Sequence, residues 1–246
     1  MNQELSCFFI LHPSSFILPS KVTVSMRYAS SWLLYEISYW LSVTGLTWGC
    51  NYRSEGGRNI PLTGPALLLA NHQSFLDPCV VGSATRRHLC FLARKTLFRN
   101  RLFGALIDRL NAVPVDQEGV AKEGLKTILE QLKAGQAVLV FPEGERTHTG
   151  EVQPLKPGVL LLIKRLEVPI VPVGIAGAFD TLPRTRKWPK LSPFFLPTTG
   201  ADIAVSVGKP IPAERYRDMP REQVLTELYE ELMHAKERAE RLRRKS

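Results

Sequence analysis

A chain of 246 residues suits a single domain of ordinary size and is long enough to bury a hydrophobic core. Its 32 basic and 23 acidic side chains leave a net charge of +9, which indicates a polyanionic partner: a nucleic acid, an anionic membrane face or a phosphorylated substrate. The four cysteines are scattered without metal-ligand spacing, which argues against a zinc site and favours a reduced, cytosolic setting.

The first 26 residues are expected to be a disordered or untranslated extension, with Met26 as the true start. Two similar strings, Phe-Ile-Leu-His-Pro-Ser at 9–14 and Phe-Ile-Leu-Pro-Ser at 16–20, contain prolines that a regular helix does not accommodate. The stretch also lacks the basic leading region and the small-residue cleavage pattern of a signal peptide.

Residues 27–52 are predicted to form a helical segment that lies in the surface of a membrane. Three tryptophans and two tyrosines, which favour the boundary between water and lipid, occur between residues 32 and 48. Glu36 lies inside the segment, and burying an acid in lipid costs a few kcal/mol, so a helix within the surface is favoured over a true span. The alternative is a helix that packs on the domain core.

From residue 60 onward, short apolar runs alternate with segments of helical periodicity. Helices are predicted from about residue 77 and over 96–110, 117–133, 158–166 and 221–244, and strands are predicted over 66–70, 88–93, 112–115, 137–141, 169–174 and 203–207. This alternation predicts an α/β fold with a mainly parallel central sheet covered by helices.

Residues 71–77 read Asn-His-Gln-Ser-Phe-Leu-Asp and follow directly on the apolar run 66–70. That run is short and bounded by turn residues, so it is predicted to be a buried strand, and ligands bind beyond the carboxyl ends of such strands. A neutral imidazole at His72 can accept a proton near neutral pH, and a carboxylate at Asp77 can fix its tautomer. The alternative is that His72 is a turn residue and Asp77 a helix N-cap.

A second polar cluster follows the strand predicted over 137–141. It reads Phe-Pro-Glu-Gly-Glu-Arg-Thr over residues 141–147, and Gly144 permits a tight turn. The planar guanidinium of Arg146 suits a phosphate, and Glu143 can accept a hydrogen bond from a hydroxyl. If the strands are parallel, this cluster lies on the same edge of the sheet as His72. The alternative is a surface turn with an ordinary ion pair.

Together the two strings resemble the motifs of the glycerolipid acyltransferases, above all those of the 1-acylglycerol-3-phosphate acyltransferase family. The first motif of that family is Asn-His-x4-Asp, and the third is Phe-Pro-Glu-Gly-x-Arg-Ser/Thr. Its second motif resembles residues 93–116, which run from Ala-Arg-Lys to Val-Pro-Val-Asp. Its fourth resembles Val-Pro-Ile-Val-Pro-Val at 168–173, and all four stand in the family's order.

The resemblance implies an acyltransferase catalytic domain over residues 53–246. Its reaction would move a fatty acyl group from acyl-CoA or acyl carrier protein to the sn-2 hydroxyl of 1-acylglycerol-3-phosphate (lysophosphatidic acid), giving phosphatidic acid for phospholipid biosynthesis. No cofactor is implied beside the thioester co-substrate, and no metal, because no third ligand has suitable spacing. The residues implied are His72 and Asp77 for catalysis, Glu143, Gly144, Arg146, Thr147, Lys95 and Arg94 for substrate binding, and Pro169 and Pro172 for an acyl-donor wall.

Two positions depart from the family's pattern. Glu145 stands where Thr or another small polar residue is frequent, and Gln117 stands where the second motif often ends in Arg. The missing Arg leaves open another lyso-lipid acceptor, such as a lysophospholipid or a lyso-ornithine lipid. A further alternative is a non-catalytic basic module that binds membrane or nucleic acid. Since no helix-turn-helix, zinc finger or RNA-binding motif is visible, no nucleic-acid partner is expected.

Two basic stretches contain no acidic residue. Residues 86–101 hold six Arg or Lys side chains, and residues 182–200 hold four, interleaved with Trp188, Phe194 and Phe195. Basic residues beside exposed aromatics favour docking on anionic lipid, whereas the plainer alternative is a solvated surface. We therefore expect a membrane-associated protein, on the cytoplasmic face of the inner or plasma membrane.

Overall fold

Seven strands form one sheet with helices on both of its faces, in a computed structural model that describes residues 26–115, 121–165 and 167–243. The strands are β1 (Arg53–Glu55), β2 (Ala66–Ala70), β3 (Leu89–Arg94), β4 (Ala112–Val115), β5 (Ala137–Val140), β6 (Ile170–Ala176) and β7 (Ala204–Val207). The α-helices are α1 (Met26–Cys50), α2 (Asp77–Gly82), α3 (Arg101–Arg109), α4 (Ala121–Lys133), α5 (Gly158–Arg165), α6 (Ala178–Thr181) and α7 (Arg221–Leu242). Except for Met26, the predicted N-terminal extension lies outside the described residues, as does Gln117.

The strand order is β1-β7-β6-β2-β5-β3-β4, and five neighbouring strands, from β6 to β4, run parallel. The prediction of an α/β fold with a mainly parallel sheet is therefore confirmed. Strand β7 pairs antiparallel with β6, and β1, which the sequence analysis did not predict, pairs parallel with β7. The hydrophobic pattern of a buried strand contains no information on its direction, so this reversal was not predictable from it.

The central strand β2 lies between β5 and β6, and its register fixes the position of the polar strings. Leu69 pairs with Val140 of β5, and Ala70 pairs with Val173 of β6. Because β2 and β5 are parallel and end level with each other, the chain leaves both at the same edge of the sheet. Residues 71–77 and 141–147 are thereby brought together at the carboxyl edge, where open α/β sheets bind their ligands.

Alternate residues of the buried strands serve two hydrophobic cores, one on each face of the sheet. Leu67 and Leu69 of β2 point into a core filled by residues of α4, α5 and α7, such as Leu132, Leu162 and Leu232. The intervening residues of β2 point into a core formed with α2 and the end of α1. The five residues of β2 are at most 3% exposed, so the strand that carries the first string is held from both faces.

Helix α1 packs its inner face on the domain and leaves its outer face exposed. On the inner face, the Tyr35 hydroxyl accepts a hydrogen bond from the Leu89 amide at 3.0 Å, and Glu36 pairs with Arg86 at 3.0 Å. Leu46 and Cys50 belong to the core at the end of the helix. Of the helices in the described ranges, none combines the length and apolarity needed to cross a bilayer.

The helix predicted over 96–110 consists of two pieces. A 3₁₀-helix spans Lys95–Arg99, and α3 begins after Asn100. The Asn100 side chain accepts hydrogen bonds from the amides of Leu102 and Phe103 at 3.1 and 3.0 Å, which is the contact of an N-cap. Asn100 has an extended backbone, so α3 begins there as a separate helix, and it contacts β4.

Candidate active site

The imidazole of His72 and the carboxylate of Asp77 form a hydrogen-bonded pair at the carboxyl edge of β2. His72 Nδ1 lies 2.8 Å from Asp77 Oδ2. A carboxylate only accepts hydrogen bonds, so Nδ1 is the protonated nitrogen of the neutral ring, and Nε2 retains the lone pair. Asp77 is the first residue of α2, and the predicted contact between His72 and Asp77 is present in the structure.

Asp77 is fully buried, and its Oδ2 accepts two further hydrogen bonds from the chain that precedes it. The amides of Gln73 and Ser74 donate to this oxygen at 2.6 and 2.8 Å. Burial raises the pKa of the Asp77 carboxyl group, while the imidazole and the two amides oppose that rise. The same oxygen thus fixes the backbone of residues 72–74 and the orientation of the imidazole.

One face of the His72 ring is covered and one edge is open. The ring of Phe141 stacks on it with centroids 4.0 Å apart and planes inclined by 14°. The His72 side chain remains 20% exposed, and Nε2 makes no hydrogen bond within the part of the chain that is described. A ring that is fixed by stacking and by Asp77, with a free lone pair, is arranged to accept a proton from a bound hydroxyl.

The second string turns back beside His72. Gly144 has a φ of +79°, a left-handed conformation that glycine adopts without strain. The amide of Thr147 then donates a hydrogen bond to the carbonyl of His72 at 2.8 Å. Residues 72 and 146 therefore lie on the same edge of the sheet, as the sequence analysis predicts.

Glu143 is a buried residue that joins the two strings. It is 1% exposed, and its Oε1 and Oε2 accept hydrogen bonds from the amides of His72 and Gln153 at 2.6 and 2.7 Å. Burial raises the pKa of the Glu143 carboxyl group to about 7. Because both oxygens are engaged inside the protein, Glu143 positions the backbone of His72, which corrects the prediction that it contacts the acceptor.

Thr147 also has an internal role in place of the predicted substrate contact. It is 1% exposed, and its hydroxyl accepts hydrogen bonds from the amides of Thr149 and Gly150 at 3.2 and 3.1 Å. These bonds shape the turn that follows Arg146. With Glu143 and Thr147 buried, Arg146 is the half-buried cation that the second string contributes.

Three arginines converge around this opening. Arg146 is half-buried and makes no ion pair within the described residues. Burial lowers the pKa of its guanidinium, and the nearby charges of Arg184 and Arg94 lower it further, while Asp77 acts in the opposite sense. Arg94 ends β3, and Lys95 follows it on the exposed surface. An anion is the ligand that such a cluster of cations favours.

The predicted acyl-donor wall stays a prediction, and the structure places its two prolines, Pro169 and Pro172, along β6. Strand β6 runs parallel to β2 with Ile170 opposite Leu67, so Pro169 lies at the amino edge of the sheet. His72 lies beyond the carboxyl edge, roughly 15–20 Å away at about 3.3 Å per residue. Pro172 is buried within β6, and its ring covers Gly208, where a Cβ would lie 2.7 Å from it. Pro172 is therefore part of the sheet, and Pro169 directly precedes β6.

Three polar side chains that the sequence analysis missed hold the two strings in place. The side-chain amide of Asn71 exchanges hydrogen bonds of 3.0 and 2.7 Å with the carbonyl and amide of Ile175. The Gln73 side chain and Lys236 of α7 both donate to the carbonyl of Gly150 at 3.2 Å. Asn71 and Gln73 stand inside the predicted motif, whereas no sequence signal marks Lys236.

Neither a serine nucleophile nor a metal site is found beside the imidazole among the described residues. Ser74 is buried, and its hydroxyl donates to the carbonyl of Leu182 at 2.8 Å, so it has a structural position. Among the described residues, no group of three His, Cys, Asp or Glu side chains is arranged to hold a metal ion. The arrangement therefore offers a general base, its orienting acid and a cationic cluster.

Comparison with known proteins points to one family. A family model described as Acyltransferase matches residues 51–176. A 1-acyl-sn-glycerol-3-phosphate acyltransferase of Bacillus subtilis is 30% identical over 120 residues, which are 48% of this chain and 59% of that protein. A protein of the same name from Streptococcus pneumoniae is 34% identical over 113 residues, 45% of this chain and 41% of that protein.

The matched region thus spans about half the length of these curated relatives. The crystal structure of the 1-acyl-sn-glycerophosphate acyltransferase PlsC from Thermotoga maritima has a similar fold, with a TM-score of 0.70. The match covers 89% of this chain and 85% of the other at 24% sequence identity.

Proposed function

The chain belongs to the acyltransferase family, and on that premise we propose that it transfers a fatty acyl group from a thioester to the sn-2 hydroxyl of 1-acylglycerol-3-phosphate. The donor is acyl-CoA or acyl carrier protein, and the product is phosphatidic acid. The observation that carries the proposal is the pair of His72 and Asp77, 2.8 Å apart, together with Arg146, which has no ion-pair partner among the described residues and lies near enough to Asp77 for their charges to interact. The relatives of this name from Bacillus subtilis and Streptococcus pneumoniae support the choice of acceptor.

His72 is the general base of the proposed reaction. Its Nε2 accepts the proton of the acceptor hydroxyl as that oxygen attacks the thioester carbonyl. The tetrahedral intermediate then collapses, the carbon–sulfur bond breaks, and the imidazolium returns the proton to the leaving thiolate. Asp77 stabilises the imidazolium through the 2.8 Å hydrogen bond. The acceptor hydroxyl takes the place of a serine nucleophile, so no acyl-enzyme and no cofactor are required.

The oxyanion of the intermediate needs preorganised donors. The amides of His72, Gln73, Ser74 and Thr147 are engaged inside the protein. Those of Glu145 and Arg146 make no hydrogen bond within the described ranges and belong to the turn beside the imidazole. We therefore assign the oxyanion contact to this turn, around Gly144.

The acceptor's phosphate is assigned to Arg146, with Arg94 and Lys95 adding positive charge. Arg146 has no carboxylate partner among the described residues, and its guanidinium offers the planar donors that grip a phosphate. Arg94 lies close enough to Arg146 to lower the pKa of that guanidinium. A phosphate dianion bound between them offsets their mutual repulsion.

We further propose that residues 27–52 form a membrane-interface segment attached to a catalytic domain over residues 53–246. The outer face of α1 supports this division. Leu33, Ile37, Leu41 and Trp48 are each about half exposed or more, at 47–68%, and their spacing places them on one side of the helix. A helix with this face lies in the surface of a membrane. The protein would thus associate with the cytoplasmic face of the inner or plasma membrane.

Acyl transfer by the purified protein tests the proposal directly. We expect His72→Ala to lower kcat at least about 100-fold, the loss typical of a removed general base, while the circular dichroism spectrum and Tm stay close to wild type. His234→Ala is the matched control, because His234 is exposed on α7. Turnover by His72→Ala within a few-fold of wild type would reject the mechanism.

The acceptor is tested in the same assay. Gln117 and Glu145 depart from the family's pattern, so lysophosphatidic acid is compared with lysophosphatidylethanolamine and a lyso-ornithine lipid, each with acyl-CoA and with acyl carrier protein. We expect the highest kcat/KM with lysophosphatidic acid, whose phosphate monoester carries the most negative charge. A higher kcat/KM with another acceptor would show that lysophosphatidic acid is not the preferred acceptor, while the role of His72 would stand.

A further inference from the structure

Residues 182–200 form an exposed loop, here called the basic aromatic loop. Trp188 is 81% exposed, Phe195 is 63% exposed and Leu191 is 53% exposed. Large apolar side chains this exposed within one short segment are unusual for a soluble surface and mark an interaction site. Nothing in the acyl-transfer mechanism uses them.

The charge of the loop has a single sign. It contains Arg184, Arg186, Lys187 and Lys190 and no acidic residue. Arg184 pairs with Glu145 at 3.0 Å, whereas the other three make no ion pair within the described residues. Arg186 and Lys190 instead donate to backbone carbonyls, those of Asp180 and Thr199. The loop therefore presents uncompensated positive charge beside apolar side chains.

The loop continues the exposed face of α1. The ring of Trp48 packs edge-on against Phe194 with centroids 5.0 Å apart, and the amide of Ser192 donates to the carbonyl of Gly49 at 2.7 Å. Trp48 is itself 55% exposed and ends the apolar face of the helix. The two surfaces meet at Trp48 and form one continuous apolar patch.

The loop also begins at the active site. The Ser74 hydroxyl, two residues after His72, donates to the carbonyl of Leu182 at 2.8 Å. The Arg184 guanidinium donates to the carbonyl of Arg146 at 3.0 Å. The segment that carries the exposed aromatics is therefore bonded to the turn of the general base and to the turn of the phosphate site.

We propose that the basic aromatic loop docks on an anionic lipid bilayer and turns the open edge of the active site toward it. Its tryptophan and phenylalanine side chains insert at the boundary between water and lipid, and its unpaired cations attract anionic headgroups. A cationic, acid-free patch is complementary to such a surface. The docking itself does not depend on the proposed function. Only its biological role does, which is to bring the active site to a lyso-lipid acceptor in the membrane.

Vesicle binding by the full-length protein tests the docking without any turnover. The protein is sedimented with phosphatidylcholine vesicles, and the bound fraction is measured. The vesicles contain either no anionic lipid or about 30% phosphatidylglycerol. Two double variants are compared with wild type: Lys187→Glu with Lys190→Glu, and Trp188→Ala with Phe195→Ala. The controls are Lys126→Glu on α4 and Leu62→Ala, which lies before β2 at the opposite edge of the sheet and is 79% exposed.

The lysine variant is expected to lower partition into the anionic vesicles at least about tenfold, since each cation near such a surface contributes about a fivefold factor. The aromatic variant is expected to lower it by a similar factor, because it removes two side chains that insert at the boundary between water and lipid. The control variants are expected to bind like wild type. Loop variants that bind the anionic vesicles as tightly as wild type would overturn the proposal. So would a lipid-free dimer that dissociates in the loop variants while vesicle binding is unchanged, since the patch would then serve a second copy of the chain.

A short-chain acceptor that stays dispersed in water separates docking from catalysis. The loop variants are expected to acylate it at the wild-type rate, because none of the four substituted residues belongs to the His72–Asp77 pair or to the arginine cluster. A rate that falls with this acceptor while vesicle binding is retained would assign the loop to the active site and overturn the docking. Anionic-vesicle binding that depends on the loop in a protein without acyl transfer would uphold the docking and refute the proposed function.

Discussion

At the scale of single residues, the two carboxylates of the site have different tasks. Asp77 faces the imidazole, whereas Glu143 holds the main chain from which that imidazole projects. Both stand in polar strings that follow buried strands, so sequence reasoning identified both. Their roles depend on which groups surround them after folding, and Glu143 is enclosed by amides that come from two separate loops.

We predict that Glu143→Gln destabilises the protein. Both oxygens of the carboxyl group retain lone pairs when the group is protonated at pH 5, whereas a glutamine side chain has one oxygen and one NH2 group, so one of the two amide donors of His72 and Gln153 would face another donor. An unsatisfied buried N–H costs about 1–3 kcal/mol in free energy of unfolding. Urea unfolding at pH 5 measures the loss, with exposed Glu214→Gln as the control. Equal stability of Glu143→Gln and wild type would contradict the geometry.

The stability difference between wild type and Glu143→Gln is expected to change with pH in a definite direction. The pKa of Glu143 is raised to about 7 in the folded protein, above its usual value of about 4.3 in an unfolded chain. The folded state thus binds more protons between these values, and the free energy of unfolding decreases as pH rises through the window. Glutamine does not titrate, so the stability gap between wild type and Glu143→Gln should narrow from pH 5 to pH 8. A gap that widens would refute the assignment.

The cationic side chains show where residue-level prediction succeeds and where it fails. Arg146 stands after a glycine turn at the end of a predicted strand, and the bond from the Thr147 amide to the His72 carbonyl places it on the same edge of the sheet as the imidazole. Arg184 and Lys236 contribute to the same turn from segments far away in the sequence. Such contacts depend on how whole elements pack, and a local pattern does not contain that information.

At the scale of elements, strand positions were predictable because each buried strand is a short apolar run between turn residues. Strand β1 was missed because its three residues, Arg-Ser-Glu, are polar and lie at the edge of the sheet. The packing of α7 was also hidden, because it depends on a single small residue in β6. A Cβ at Gly174 would lie 2.0 Å from the carbonyl carbon of Ala235.

We predict that Gly174→Ala separates α7 from the sheet. The added methyl group meets backbone atoms of α7, which cannot rotate away, so we expect a loss of about 3 kcal/mol or more in free energy of unfolding. Lys236, the next residue, holds the carbonyl of Gly150, so the rate of acyl transfer should fall as well. Urea unfolding and the transfer assay measure the two effects.

Gly124→Ala in α4 is the matched control. The nearest atoms to its Cβ would be 3.9 Å away, and alanine favours a helix interior over glycine by about 0.5–1 kcal/mol. We therefore expect this variant to be slightly more stable than wild type. Similar behaviour of the two alanine variants would show that the close contact between β6 and α7 has no energetic weight.

At the scale of the whole molecule, the parallel sheet has two chemically different edges. The carboxyl edge carries the imidazole, its carboxylate and the arginine cluster. The amino edge carries Arg87, which the sequence analysis grouped with the exposed basic residues of 86–101. Its guanidinium instead donates to the carbonyls of Pro61, Thr63, Gly64 and Gly135, which precede β2 and β5. Arg87, which precedes β3, therefore links the start of that strand to the starts of β2 and β5.

This separation predicts that Arg87→Gln lowers stability and leaves catalysis unchanged. The variant leaves partly buried carbonyls without their donor, which we expect to cost about 1–3 kcal/mol and to lower Tm by several degrees. Because the site lies at the other edge, kcat and KM measured well below Tm should match wild type, whereas His72→Ala should show the reverse pattern. Arg109→Gln, exposed on α3, should change neither property. A raised KM in Arg87→Gln at full stability would mean that the amino edge contributes to substrate binding.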